Sequence, residues 1–66
     1  MQHITLDRED GILVITLKRG KANALNCEMV DELQQALNHA RADERTHGVV
    51  LTSGTPKMFC GGFDVQ

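Results

Sequence analysis

The sequence predicts an α/β chain of strand–strand–helix–strand order, and three features carry that reading. Two strand-patterned runs meet at Asp10-Gly11, a tight-turn pair because both positions tolerate positive φ. Met29, Leu33, Ala36, Leu37 and Ala40 then recur every three or four residues, which lines one face of a helix. A second run of strand type, Val49-Val50-Leu51-Thr52, follows that helix.

The first strand is short: Ile4, Leu6 and Arg8 alternate with polar neighbours, as on a sheet edge. Ile12-Leu13-Val14-Ile15-Thr16-Leu17 is apolar on both faces and belongs inside a sheet. Lys18 to Asn26 form a connection, basic at its start and small in its middle. The helix is predicted at about 27–43. Asn26 is its N-cap, with Glu28, Asp31 and Glu32 near the positive end and Arg41 and Arg45 toward the other. His47-Gly48 leads into the next strand, expected to be buried, so strand, helix and strand make a βαβ crossover. Ser53-Gly54-Thr55-Pro56 breaks that strand, and Met58-Phe59-Cys60-Gly61-Gly62-Phe63-Asp64-Val65 hangs from its C-terminal end, where ligands bind in open α/β sheets.

Bulk properties exclude several functions. A chain of 66 residues with two Phe and no Trp or Tyr is marginal as an independent domain, and is expected to be part of a larger fold or to need a partner. A formal charge of −2 with no basic run argues against nucleic-acid binding. Cys27 and Cys60, with His3, His39 and His47, form neither a disulfide framework nor a zinc pattern; both cysteines are expected to be small packed residues, and Met29 and Met58 core or pocket filler. No presequence pattern or bilayer-length apolar run occurs, so a reducing, cytoplasmic setting is expected, a mature organelle matrix protein being equivalent in sequence.

Two loops carry candidate chemistry. Gly61-Gly62 lets the backbone bend and approach a ligand closely, and a helix starting just beyond would aim unpaired N–H groups at a phosphate or an oxyanion. It is neither a Walker loop nor a GxGxxG fingerprint, and taken alone it reads slightly better as a plain strand-to-helix turn, since Gly-Gly pairs are common in turns. Lys21-Ala22-Asn23-Ala24-Leu25-Asn26 lets a ligand lie against backbone, with Lys21 facing a phosphate; alone it is a loop with a cap. Both loops leave C-terminal strand ends joined by one crossover, which puts them side by side.

The opening hairpin, KANALN before the helix, GVVLTS, and MFCGGFDV together resemble the crotonase, or enoyl-CoA hydratase/isomerase, superfamily over nearly the whole chain. The last motif is similar to the family pattern F-[SC]-[AG]-G-x-D. The resemblance implies the N-terminal ββαβ part of the crotonase-type spiral fold, with residues 1–66 a fragment of a single domain. It implies an acyl-CoA thioester as substrate, no tightly bound cofactor beyond the CoA of that substrate, and a trimer or hexamer as the whole protein. The backbone N–H of Phe63 is then one oxyanion donor. Lys21, Ala22, Ala24 and Leu25 line the CoA side, Gly61, Gly62, Asp64 and Val65 flank the adenine and thioester ends, and Lys57 stands near the CoA phosphates. The family's catalytic acids lie downstream; Glu9, Glu28, Glu32 and Glu44 read as surface residues and Asp64 as a structural acid. A non-catalytic CoA- or nucleotide-binding module, and an interaction fragment docking through its sheet edge and helix face, are the competing expectations.

Overall fold

The computed structural model describes residues 2–20, 22–55 and 58–63. Strand β1 (Ile4–Glu9) and strand β2 (Ile12–Leu17) form an antiparallel hairpin, helix α1 (Cys27–Ala42) crosses over, and strand β3 (Gly48–Ser53) returns parallel to β2. Sheet order is β1-β2-β3, so β2 is central, as its two apolar faces require.

The local chemistry is that of the sequence. Asp10 and Gly11 both take positive φ, 49° and 82°, which is a type I′ hairpin turn. The Asn26 side chain accepts from the Met29 N–H at 2.8 Å and caps α1. The helix stops at Ala42. Its C-cap, Asp43, donates its N–H to the carbonyls of His39 and Ala40. The Asp43 carboxylate faces Arg8 Nη2 at 3.2 Å and Arg45 Nε at 3.3 Å. Arg8 also donates to Thr46 Oγ1, so the helix end is tied to β1.

The core is Ile4, Leu13, Ile15, Leu17, Met29, Ala36 and Ala40, with Leu25, Leu33 and Cys60 partly buried against it. Complete burial of Ile15 and Met29 contributes about 2 kcal/mol each. All of these residues come from β1, β2, α1 and the two loops, none from β3.

Here the sequence reading needs correcting. Val49, Val50 and Leu51 were expected to be buried and are 42–47% exposed: β3 is an edge strand, α1 lies toward the β1 side and leaves Val49 and Leu51 uncovered, and Val50 lies on the opposite face with Val14. Leu37, placed in the apolar stripe, is 48% exposed: it sits about a fifth of a turn beyond the line of Met29, Ala36 and Ala40. Among the histidines His3 is no bystander. Its N–H donates to Glu32 Oε1 at 2.9 Å and its ring stands 3.4 Å from Glu28 Oε2, fastening the start of β1 to α1.

Candidate functional site

Asn23 organises the end of the sheet. It is fully buried with φ 48°, a left-handed conformation that Asn accepts more readily than most residues. Its Oδ1 accepts from the Arg19 N–H at 2.7 Å, and its Nδ2 donates to Ser53 Oγ at 2.7 Å and to the Phe59 carbonyl at 3.1 Å. One side chain therefore joins the end of β2, the end of β3 and the glycine loop. The sequence reading passed over it as one small residue among others. Its signal was an Asn beside alanines in a turn, where the amide replaces missing backbone partners.

Ser53 continues the stitching. Its Oγ donates to the Met58 carbonyl at 2.7 Å and accepts from the Thr55 N–H at 3.0 Å. Thr55 Oγ1 donates to the Gly20 carbonyl at 2.9 Å, and Arg19 Nη1 to the Ala24 carbonyl at 2.6 Å. Among the described residues no buried side-chain nitrogen or oxygen lacks a partner.

Against this frame the two loops run side by side, as their strand ends required. Gly61 donates to the Ala22 carbonyl at 2.6 Å, and Leu25 donates to the Gly62 carbonyl at 2.7 Å. A Cβ on Gly61 would sit 2.9 Å from the Ala22 oxygen, so the approach depends on glycine there. Gly62 takes φ 92°. Leu25 and Phe63 form a parallel bridge.

That bridge fixes the direction of the Phe63 amide. Among the described residues no peptide bond is cis, and in a trans peptide the carbonyl and the following N–H point opposite ways. Since the Gly62 carbonyl faces Leu25, the Phe63 N–H faces away from it, and no described residue accepts from it.

The remaining residues singled out from the sequence divide by position. Ala22, Gly61 and Gly62 are exposed, Ala24 and Leu25 half-buried, and Phe63 is 70% exposed. Lys21, Lys57, Asp64 and Val65 lie outside the described residues. A cleft of about 710 Å³ opens between Phe63, Leu25 and the first two turns of α1, with Cys27, Val30 and Gln34 in its wall and Glu28 and Asp31 at its acidic end. Ala22 and Ala24 do not line it. Cys27 is exposed rather than packed, because the first turn of α1 turns it outward, and Met58 is 42% exposed rather than filling a pocket. Among the described residues no cluster of His, Cys, Asp or Glu is arranged to hold a metal, and no helix is long and apolar enough to cross a membrane.

The sequence profile of the enoyl-CoA hydratase/isomerase family matches residues 7–66. The chain belongs to that family. Its curated relatives include human testis-specific chromodomain protein Y 1, 38% identical over 63 residues, which cover 92% of this chain and 11% of the relative. The short-chain-enoyl-CoA hydratase of Clostridium acetobutylicum is 30% identical over 67 residues, 100% of this chain and 26% of the hydratase.

Among solved structures, an enoyl-CoA hydratase of Geobacillus kaustophilus superposes with a TM-score of 0.93 at 34% identity, over 97% of this chain and 24% of that one. Human mitochondrial delta3-delta2-enoyl-CoA isomerase gives 0.89 at 31% identity, over 96% and 25%. The ββαβ unit is thus a crotonase-type fold, and this family member spans about a quarter of its enzyme relatives.

Proposed function

We propose that the chain is the N-terminal portion of an acyl-CoA-binding enzyme of the hydratase/isomerase type, in which the Phe63 N–H is one donor of an oxyanion hole. The observation that supports this reading is the direction of that amide: its neighbours Gly61 and Leu25 spend their N–H groups on loop-to-loop bonds, and Phe63 donates to no described residue. An N–H facing outward from a braced loop stabilises charge that develops on a thioester oxygen. Polarising that carbonyl acidifies the α-carbon and makes a conjugated alkene electrophilic at the β-carbon. The thioester would lie on the far side of the Gly61–Phe63 segment from Leu25.

In the same proposal Lys21, Ala22, Ala24 and Leu25 contact the CoA side, Gly61, Gly62, Asp64 and Val65 flank the adenine and thioester ends, and Lys57 stands near the CoA phosphates. CoA enters as part of the substrate, with no separate cofactor. The carboxylates that move the proton belong to polypeptide outside these 66 residues. Glu28 is engaged by His3, and Glu9 and Glu44 are surface groups at the end of β1 and beyond α1. Assembly as a homotrimer or hexamer in a cytoplasmic or matrix compartment completes the proposal.

Calorimetric titration of the chain with crotonyl-CoA, CoA and ATP tests it. Tighter binding of the thioester than of free CoA is expected, without hydration at enzyme-like rates. Equal affinity for all three would replace the enzyme reading by that of a nucleotide-binding module.

A further inference from the structure

One row of hydrogen bonds crosses the two loops in a single direction. Arg19 Nη1 donates to the Ala24 carbonyl at 2.6 Å, and the Leu25 N–H, on the far side of the same peptide unit, donates to the Gly62 carbonyl at 2.7 Å. Beyond the Gly62 carbonyl, again across one trans peptide unit, stands the Phe63 N–H. The order is guanidinium, the Ala24–Leu25 peptide, the Gly62–Phe63 peptide, outward N–H. The neighbouring bond runs the other way, from Gly61 to the Ala22 carbonyl, and leads away from Phe63.

Direction matters because hydrogen bonds in a row polarise one another, by about 10–30% per bond. Each peptide unit carries a dipole of about 3.5 D, and these two lie head to tail with their positive ends toward Phe63. A guanidinium cation at the head pushes both the same way. A neutral donor or a water would satisfy the Ala24 carbonyl equally well; only a fixed charge adds a field along the row.

The backbone holds Arg19 in place independently of its side chain. Its N–H donates to Asn23 Oδ1 at 2.7 Å, and its carbonyl accepts from the Asn23 N–H at 3.1 Å. Both bonds survive replacement of the half-buried side chain, so turn and charge are separable by substitution.

We infer that Arg19 is a positioning residue for the oxyanion donor: through the Ala24–Leu25 and Gly62–Phe63 peptide units its charge strengthens the Phe63 N–H toward a thioester oxygen. This rests on the acyl-CoA reading of that amide. The row measures about 10 Å from Nη1 to the Phe63 nitrogen. At an effective dielectric of about 20, a unit charge at about 10 Å favours a full oxyanion by about 10-fold, and the partial charge of a bound carbonyl by less.

Arg19→Gln and Arg19→Lys test it in the intact chain, with crotonyl-CoA labelled at the thioester carbonyl as the probe. Citrulline at position 19, which keeps the shape and a donor and loses only the charge, guards against misfolding of Arg19→Gln. In both neutral variants the Leu25 and Phe63 amide protons should move upfield in nuclear magnetic resonance spectra. The infrared stretch of the bound carbonyl should move back toward its value in water. Preference for crotonyl-CoA over CoA should fall about 3-fold, with affinity for CoA itself unchanged. Arg19→Lys, which keeps the charge, should restore the stretch and the preference. A wild-type chain that lowers the carbonyl stretch, with the citrulline chain lowering it equally, overturns the role of Arg19 and leaves the oxyanion reading standing. A wild-type chain that leaves the stretch at its value in water overturns the oxyanion reading and this inference with it.

Discussion

Asn23 donates to Ser53 Oγ at 2.7 Å across 30 residues of chain, and through that bond the two loops of the candidate site share one support. Ser53 in turn holds the Met58 carbonyl, and Asn23 holds the Phe59 carbonyl, so the chain entering Gly61-Gly62 is fixed at two consecutive residues. Gly61 and Gly62 are then held in turn by the Ala22 carbonyl and the Leu25 N–H.

Replacing Asn23 with Ala should therefore cost more than an average surface change. It removes partners from the Arg19 N–H, Ser53 Oγ and the Phe59 carbonyl, and puts a β-carbon without hydrogen-bonding capacity at positive φ. At about 1 kcal/mol for each of the three bonds, plus about 1 kcal/mol for the backbone, a loss of about 4 kcal/mol is expected. Urea denaturation measures it. A change under about 0.5 kcal/mol would show that Asn23 does not brace the loop.

Gly61→Ala should act on the loop contact and spare the rest of the fold. The new methyl meets the Ala22 oxygen at 2.9 Å and the Ala22 Cβ at 3.1 Å, so the Gly61-to-Ala22 bond must open. Gly62→Ala has nothing within 4 Å and is strained only through its φ of 92°, at about 1 kcal/mol. Amide hydrogen exchange distinguishes them. Faster exchange at residue 61 is expected from the first substitution and not from the second.

Much of this was legible in the sequence because the signals are local. Asp10-Gly11 marks the hairpin, Asn26 the helix start, and the run from Ile12 to Leu17 the central strand; each depends on neighbours within a few residues. What escaped depends on distant ones. Asn23 gains its meaning from Ser53 and Phe59. Leu37 and the apolar run of β3 look like core in any window of sequence, yet Leu37 falls off the buried line of α1, and β3 is an edge strand that α1, lying toward β1, does not cover. The proximity of the KANALN and Gly-Gly loops was readable from topology alone, since both leave the same ends of parallel strands. The aim of the Phe63 amide was not, because it is set by the Leu25-to-Gly62 bond.

Acid should loosen the tie between the end of α1 and β1. The Arg45 backbone N–H, 3.0 Å from Asp43 Oδ1, and then the Arg45 side chain hold the Asp43 carboxyl below its ordinary value of 3.8, with Arg8 adding attraction. A pKa lowered by folding contributes stability that is fully present above the unfolded value and is lost as pH falls through the folded one. The urea midpoint should thus fall between about pH 5 and about pH 2, and fall less for Asp43→Asn. Parallel pH profiles for the two proteins would remove Asp43 from the account.

The sharpest test of the oxyanion reading replaces one atom. A chain of 66 residues is within reach of chemical ligation, and an ester in place of the Gly62–Phe63 amide deletes the Phe63 N–H. The Gly62 carbonyl survives as a weaker acceptor for Leu25, so the fold should lose about 1 kcal/mol. CoA affinity should be unchanged, while the preference for crotonyl-CoA over CoA should disappear. In a full-length family member carrying the same replacement, turnover should fall by on the order of 10²–10³ with little change in KM. Retention of thioester preference in the ester analogue would mean that the carbonyl oxygen is held elsewhere.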